Sequence, residues 1–172
     1  MYKLLTIDPA SHQTGVAYFV DGVLKYATVL RAVGDFKKKE LIDYTDEKVR
    51  RAASISKQMF DVCWSFRFQP REVEVIIEYP KVYPGNQEAD PNDMIDIALV
   101  IGRLLEQLPE PLKISFPFAY EWKGQTKKKM MTKHIKTRLT AGEVAVMGKD
   151  VDNHNALDAV GIGLWKLRRL HG

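Results

Sequence analysis

This 172-residue sequence has a single cysteine, no long apolar run and no leader-like N-terminus. Cys63 stands between apolar neighbours and has no partner for an internal disulfide, which indicates a reducing compartment and a plain packing role. Every apolar run falls short of the roughly 18 residues that suggest a membrane span. The first residues also lack the charged and apolar regions of a signal peptide. We therefore expect a soluble cytoplasmic protein that does not bind membranes.

Acidic residues are missing from one stretch, WKGQTKKKMMTKHIKTR, residues 122 to 138, which we call the lysine segment. A lysine-rich helix is commonly a solvated surface and nothing more. However, Lys127 to Lys129 crowd the first turn of a predicted helix, where each cation opposes the helix dipole by roughly 0.3 to 1 kcal/mol. Phosphate contact explains these residues better than stability does. We predict that the segment binds nucleic-acid phosphates through Lys123, Lys127, Lys128, Lys129 and Lys133.

Residues near the lysine segment extend this predicted surface. Tyr120 and Trp122 are candidates for stacking on unpaired bases, although a core role for Trp122 is at least as well supported. Further cations would lengthen the phosphate track at Lys37 to Lys39, Lys166, Arg168 and Arg169.

Apolar periodicity predicts the order of helices and strands along the chain. Three opening strands cover residues 3–9, 15–20 and 22–30, and the dipeptide Asp21-Gly22 favours a tight turn between the last two. A helix follows from about Thr45, a partial cap, to Phe68, and a second runs from its cap Asn92 to Gln107. The remaining predicted elements are a buried strand at 72–80, a fifth strand at 111–118, a basic helix at 125–140, a loop at 141–152 and a closing helix at 154–170.

This order predicts one α/β domain over residues 1–172. An antiparallel meander of the first three strands would share a five-stranded mixed sheet with parallel fourth and fifth strands, and helices would flank the sheet. In such sheets, ligands bind beyond the carboxyl ends of neighbouring parallel strands. Asp8 and Glu78 lie at those ends of the first and fourth strands.

Three acids are candidates for one metal site. Asp8 precedes Pro9 and taken alone is most often a turn former. Glu78 follows the apolar run Val75 to Ile77, and Asp158 lies among apolar helix residues, so both would be buried carboxylates that need a partner. If the first and fourth strands are neighbours, the three acids converge, and hard carboxylate oxygens suit Mg²⁺ or Mn²⁺.

The closing helix adds two expectations. Gly161 and Gly163 lie inside it at a cost of roughly 1 kcal/mol each relative to alanine, which is expected where a helix must approach a sheet closely. His154 and Asn155 stand four and three residues before Asp158 and can share its helix face. Asp152 is the expected N-cap of this helix.

With these residues in place, the sequence resembles the RuvC-type Holliday junction resolvases of the RNase H-like superfamily, over nearly the whole chain. IDPASHQTGVAYF looks like that family's first strand and turn, and VIIEYP looks like the strand that carries its glutamate. HNALDAVGIGL is similar to its closing acidic helix, and WKGQTKKKMMTKHI aligns with its basic segment. FAYEWKGQ is more similar to divergent, phage-type members than to the bacterial housekeeping form, which would place the activity in a host cytoplasm.

The resemblance implies a metal-dependent nuclease that cuts four-way DNA junctions, with two Mg²⁺ ions held by Asp8, Glu78 and Asp158. Mn²⁺ would substitute, and Asp8 on the central strand is the expected bridging ligand. Lys123 and Lys129 match lysines that act in DNA handling and cleavage. The family has a second aspartate or a histidine three residues before its final acid, where this chain has Asn155. His154, Asn155 and Asp152 therefore remain alternatives for the fourth position, and His154 and Lys129 are added as candidate catalytic residues.

The approximate two-fold symmetry of a four-way junction predicts a homodimer with one active site for each of two opposed strands. Its subunit contact is expected on the helix from Asn92 to Gln107, although burial inside the monomer is the competing interpretation. Two other functions stay open. One is an RNase H-like nuclease that acts on RNA or on other branched DNA, such as flaps and forks. The other is a junction-binding protein without cleavage activity, motivated by Asn155.

Overall fold

The structure is a computed structural model that describes residues 1–33, 41–81 and 91–170, with all side chains in these ranges except those of residues 41–46 and 91. Its described strands form one five-stranded sheet in the order β3-β2-β1-β4-β5. The sheet is antiparallel across β1, β2 and β3, and parallel across β1, β4 and β5. This confirms the predicted mixed sheet. The strands are β1 (Lys3–Asp8), β2 (Gln13–Val20), β3 (Val23–Arg31), β4 (Val73–Ile77) and β5 (Lys113–Ser115).

The hairpin between β2 and β3 turns at Asp21 and Gly22, which have φ angles of 48° and 82°. Positive φ at both central residues is the geometry of a two-residue hairpin turn, and glycine and aspartate adopt it at little cost. The turn predicted from this dipeptide is confirmed.

Helices cover both faces of the sheet. On one face, α1 and α2 pack on Leu5, Ile7 and Val75, and on the other face α4 and α6 pack on Leu4 and Ile76. All five residues of β4 are buried, as expected for a strand enclosed on both sides. None of the helices in the described ranges is long and apolar enough to cross a membrane. The helices are α1 (Leu41–Ser65), α2 (Pro91–Leu105), α3 (Ala119–Lys123), α4 (Lys128–Arg138), α5 (Ala141–Met147) and α6 (His154–Lys166).

Helix α6 lies directly on β1 and β2. Thr6 Oγ1 donates a hydrogen bond to the Ala159 carbonyl at 2.7 Å. A Cβ on Gly163 would stand 2.1 Å from the Phe19 ring, and a Cβ on Gly15 would stand 1.8 Å from the Asn155 carbonyl oxygen. The predicted close approach of this helix is therefore confirmed, and Gly15 is a second residue that permits it.

Several predicted element boundaries are wrong. Residues 141–152 are not a loop, because α5 and a short 3-10 helix (Gly148–Asp150) occupy most of this range. Asp152 does not cap α6; Asn153 does, by accepting a hydrogen bond from the Asn155 N–H at 3.0 Å. Thr45 and Asn92 lie inside α1 and α2, which begin at Leu41 and Pro91. The fifth strand is only three residues long, and the short helix α3 follows it.

Cys63 lies inside α1 and is buried. Burial raises the pKa of its thiol to about 11. A thiol that stays protonated is a weak nucleophile, which agrees with the predicted packing role.

Candidate active site

Two of the predicted acids lie side by side at the carboxyl ends of β1 and β4. Asp8 is the last residue of β1, and Glu78 follows β4, where its N–H donates to the Ile7 carbonyl at 3.0 Å. Asp158 lies in the second turn of α6, the helix that packs on β1. We call Asp8, Glu78 and Asp158 the rim acids.

The rim acids influence one another electrostatically. Burial raises the pKa of Asp8 well above its usual range, and the charges of Glu78 and Asp158 raise this pKa further. Burial likewise raises the pKa of Glu78 and of Asp158, against the lowering influence of Lys123. Carboxylates placed in this way resist ionisation unless a cation compensates them.

Glu78 has a specific partner in Trp122. The indole Nε1–H donates to Glu78 Oε2 at 2.5 Å, although the two residues are 44 positions apart. Trp122 is 0% exposed, so its predicted core role is correct and it does not stack on bases. Lys123 Nζ lies 5.0 Å from the centroid of the Trp122 ring, so the cation next in sequence is held at the same site.

The three candidates for the fourth position lie in different surroundings. Asn155 is buried, and its Nδ2 donates to the Gln13 carbonyl at 2.7 Å, which ties α6 to β2. Asp152 is exposed and forms an ion pair with Lys136. His154 is exposed and lowers the pKa of Asp158 through its charge. Of the three, only His154 is among the groups that act on a rim acid.

The lysine segment begins at this site. Lys123 is half-buried at the end of α3, whereas Lys127, Lys128, Lys129 and Lys133 are exposed. Lys127 is the N-cap residue of α4, and Lys128 and Lys129 follow it in the first turn, as predicted. Lys128 lowers the pKa of Asp8 and of Asp158 through its charge. Met131 and Ile135 anchor α4 in the core.

Two cations of the predicted phosphate track are engaged in ion pairs. Lys166 Nζ lies 2.7 Å from Glu74 Oε1, and Arg169 Nη1 lies 2.8 Å from Glu143 Oε1. These residues hold the fold together, so we remove them from the track. Arg168 is exposed. Lys37 to Lys39 lie outside the described residues.

An exposed group of rings beside Glu78 did not emerge from the sequence. Tyr79 packs edge-on against Phe116 and Phe118, and the rings of Phe118 and Tyr120 stack at 5.8 Å. Tyr79, Phe116 and Tyr120 are 48%, 38% and 50% exposed. Lys81 Nζ lies 4.9 Å from the Phe118 centroid. We call Tyr79, Phe116, Phe118 and Tyr120 the aromatic cluster; no local pattern marks it, because its rings come from two separate segments.

The donor set of the rim acids fits a hard divalent cation. Carboxylate oxygens are preferred ligands of Mg²⁺ and Mn²⁺, and such an ion would relieve the repulsion that raises the pKa of Asp8. Within residues 1–33, 41–81 and 91–170, however, no group of three or more histidine, cysteine, aspartate or glutamate side chains is arranged to hold a metal ion. The chemistry of the acids therefore supports the predicted ions, and the ligand set stays a prediction.

No family model matches this sequence, and no curated protein matches it. Among solved structures, the chain is similar to RuvC of Thermus thermophilus, with 16% identity and a TM-score of 0.60 over 95% of this chain and 92% of that chain. It is also similar to T. thermophilus RuvC in complex with a Holliday junction substrate, with 15% identity and a TM-score of 0.56 over 96% and 92% of the two chains. These likenesses confirm the RuvC-type fold that the resemblance implied.

Proposed function

We propose that this protein is a metal-dependent, structure-specific DNA endonuclease that resolves four-way junctions by paired phosphodiester hydrolysis. The observation that carries the proposal is that Asp8 and Glu78 lie side by side at the carboxyl ends of two paired parallel strands of a RuvC-type fold, with Asp158 of α6 near enough for its charge to raise the pKa of both. Carboxylates with raised pKa values beside the carboxyl ends of parallel strands are typical of a functional site. A protein of this fold binds a Holliday junction substrate.

Asp8, Glu78 and Asp158 would hold the metal. Two Mg²⁺ ions, or Mn²⁺, would supply an activated water and stabilise the leaving oxygen of the scissile phosphate.

The cations of the chain would orient the DNA. Lys123 and Lys128 act through their charges on Asp8 and Asp158, so a phosphate drawn to these lysines would lie beside the rim acids. The exposed Lys127, Lys129 and Lys133 would neutralise neighbouring phosphates. His154 lies one turn before Asp158, and we assign it the transfer of a proton at an imidazole nitrogen. The resemblance assigns Lys129 a role in cleavage, and we propose that Lys128 contributes more, because its charge acts on two rim acids.

The aromatic cluster favours a branched substrate over a plain duplex. Three of its rings, those of Tyr79, Phe116 and Tyr120, are exposed beside Glu78. An exposed patch of apolar surface of this kind typically marks a binding site. Bases in a continuous duplex are already stacked, but bases at a branch can leave the stack and lie on aromatic faces, which is worth roughly 1 to 3 kcal/mol per base. Tyr120, predicted to stack, belongs to this cluster.

A homodimer would match the two-fold symmetry of a junction. On α2, the exposed residues Ile95, Ala98, Gly102 and Leu105 recur at three- and four-residue spacing and form one apolar stripe. Ile95 is 67% exposed, which is costly on a monomer surface. We propose that a second copy covers this stripe. Sedimentation should show a dimer for the wild type and a folded monomer for Ile95→Glu with Leu105→Glu; a wild-type monomer would refute this contact.

The proposed activity is tested by junction cleavage with wild type, Asp8→Asn and Asp158→Asn, with binding measured on the same samples. Both variants should bind the junction with a wild-type salt dependence, and neither should cut it. Asp61→Asn is the matched control, because Asp61 is an exposed acid on α1. This control should cut at the wild-type rate.

Other outcomes would point to the alternative functions. Cutting by Asp8→Asn or Asp158→Asn at a near wild-type rate would remove that residue from the site. Tight, salt-sensitive binding by the wild type with no product in Mg²⁺ or Mn²⁺ would identify a junction-binding protein that does not cleave. Equal cutting of RNA hybrids, flaps and forks would identify a nuclease of broader substrate range.

A further inference from the structure

The hydrogen bond between Trp122 and Glu78 joins a fully buried side chain to a rim acid. Trp122 is 0% exposed, and its Nε1 lies 2.5 Å from Glu78 Oε2. A buried indole N–H usually finds an acceptor, and a backbone carbonyl would serve. Here the acceptor is a carboxyl group, and the bond lowers the pKa of Glu78 because it favours the ionised form, in which the bond is charge-assisted.

The packing around the indole fixes its position. Trp122 belongs to the apolar cluster that α6 and α4 form on the sheet. A Cβ on Gly161 of α6 would stand 2.8 Å from Trp122 Cζ3 and 2.7 Å from Ile135 Cδ1. The helix therefore needs glycine at this position to accept the ring. Because this packing holds the Trp122 ring in place, its N–H can in turn fix the orientation of the Glu78 carboxylate.

We propose that Trp122 is a positioning residue for Glu78. The indole N–H engages Oε2 and so limits rotation of the carboxylate, which determines the oxygen that Glu78 presents towards Asp8. Gly161 permits this arrangement by leaving space for the ring. This inference rests on the proposed metal-dependent cleavage, because orientation of Glu78 matters only where its oxygens bind an ion. Loss of such an outer partner typically weakens metal binding or activity 10- to 100-fold.

The test removes the N–H and keeps the shape of the ring. The chain has three tryptophans, so Trp64→Phe with Trp165→Phe leaves Trp122 alone. Trp64 is 76% exposed and Trp165 is partly buried, and neither belongs to the proposed site. Benzothienylalanine, in which sulfur replaces the indole N–H, is then incorporated at position 122 of this chain. The unsubstituted double variant is the control.

Three measurements separate positioning from packing: Mn²⁺ binding by the protein without DNA, the Mg²⁺ dependence of junction cleavage, and urea unfolding. We expect the sulfur analogue to bind Mn²⁺ 10- to 100-fold more weakly and to need correspondingly more Mg²⁺, under conditions in which urea unfolding shows that both the analogue and its control are folded. Equal Mn²⁺ affinity and equal Mg²⁺ dependence in the analogue and its control would overturn the proposal. If the control neither binds Mn²⁺ nor cuts the junction, the proposed function fails together with it.

A second variant tests the role of Gly161. Gly161→Ala should displace the ring and weaken Mn²⁺ binding in the same direction as the sulfur analogue. Gly142→Ala is the matched control, because the atom nearest to its added Cβ would be 4.0 Å away. If Gly161→Ala binds Mn²⁺ with wild-type affinity, displacement of the Trp122 ring does not reorient Glu78, and the proposed role of Gly161 is refuted.

Discussion

Buried acids occupy two regions of this molecule, and their pKa values move in opposite directions. The pKa of each rim acid is raised. Away from the rim, the side chains of Glu74, Glu143 and Asp150 are also buried, whereas Asp8 and Glu78 are in part accessible to solvent, yet the pKa values of the three acids away from the rim are lowered. We call these three residues the framework acids.

The difference between the regions is the presence of a directly bonded cation. Burial opposes ionisation of Glu143, but hydrogen bonds from Arg169 and from the Leu24 N–H outweigh it and lower the pKa to about 2. Arg31 bonds Asp150 at 2.7 Å, and Lys166 bonds Glu74 at 2.7 Å. At the rim, Lys123 and Lys128 act on Asp8 and Asp158 through charge alone, and burial prevails. The framework acids form ion pairs with cations of the same chain. The rim acids are acted on by Lys123 and Lys128 only through longer-range charge, so they can still attract a cationic ligand.

The largest expected effect is on stability at a framework acid. Glu143→Gln should lower the free energy of unfolding by about 3 kcal/mol, because Arg169 would lose the partner that compensates its charge. Asp8→Asn should leave the unfolding free energy unchanged or raise it, since it removes an uncompensated charge. Urea denaturation measures both. If Glu143→Gln and Asp8→Asn lower the unfolding free energy equally, the framework acids and the rim acids do not differ in their contribution to stability.

Divalent cations should stabilise the protein through the rim acids and not through the framework acids. Mg²⁺ at 100 times its dissociation constant should add about 2.7 kcal/mol to the unfolding free energy of the wild type. The gain should disappear in Asp8→Asn and persist in Glu143→Gln, which keeps all rim acids. Thermal denaturation with and without Mg²⁺ tests this expectation. A gain in Asp8→Asn equal to that of the wild type would place the ion elsewhere.

The pH dependence of stability should follow Glu143. Its pKa falls from 4.5 in the ordinary state to about 2 in the fold, so the folded protein binds fewer protons than the unfolded chain between these values. Its contribution is therefore present above pH 4.5 and is lost as the pH falls towards 2. Urea midpoints measured across this window should decline less steeply in Glu143→Gln than in the wild type. Parallel declines would show that other groups control acid unfolding.

The smallest expected effect separates two neighbouring lysines. Lys128 lowers the pKa of Asp8 and of Asp158 through its charge, whereas Lys129 is the lysine to which the resemblance assigns a role in cleavage. Each alanine variant should reduce the salt slope of junction binding by about 1, as expected for one phosphate contact. Lys128→Ala should slow cleavage of bound junction more than Lys129→Ala does. The reverse order in single-turnover assays would favour Lys129 as the cleavage residue that the resemblance implied.

The sheet and the position of the rim acids were predictable because their signals are local. Apolar runs mark β1 and β4, and prolines soon after Asp8 and Glu78 mark the strand ends. Asp158 was conspicuous among apolar helix residues. That β1 and β4 are neighbours was a condition of the predicted site and not a result of the sequence analysis, and the structure meets this condition.

Helix α5 was missed although a signal was present. Thr140 and Glu143 form a capping box, in which Thr140 Oγ1 accepts from the Glu143 N–H at 3.2 Å. Gly142 and the β-branched Val144 and Val146 lower the helix propensity of this stretch and favoured a loop. The contact between Trp122 and Glu78 had no such signal, because it depends on how α3 is placed beside the end of β4.

The framework acids have a further consequence for β3, which forms one edge of the sheet. An edge strand presents backbone N–H groups with which a strand of another molecule can pair. In β3, Glu143 accepts from the Leu24 N–H at 3.0 Å, Asp150 from the Val29 N–H at 3.3 Å, and Gln58 from the Arg31 N–H at 3.1 Å. These side chains occupy backbone N–H groups with which an incoming strand would have to pair. Glu143 and Asp150 thus have two roles: they form ion pairs that stabilise the fold, and they hinder the pairing of β3 with a strand of another molecule.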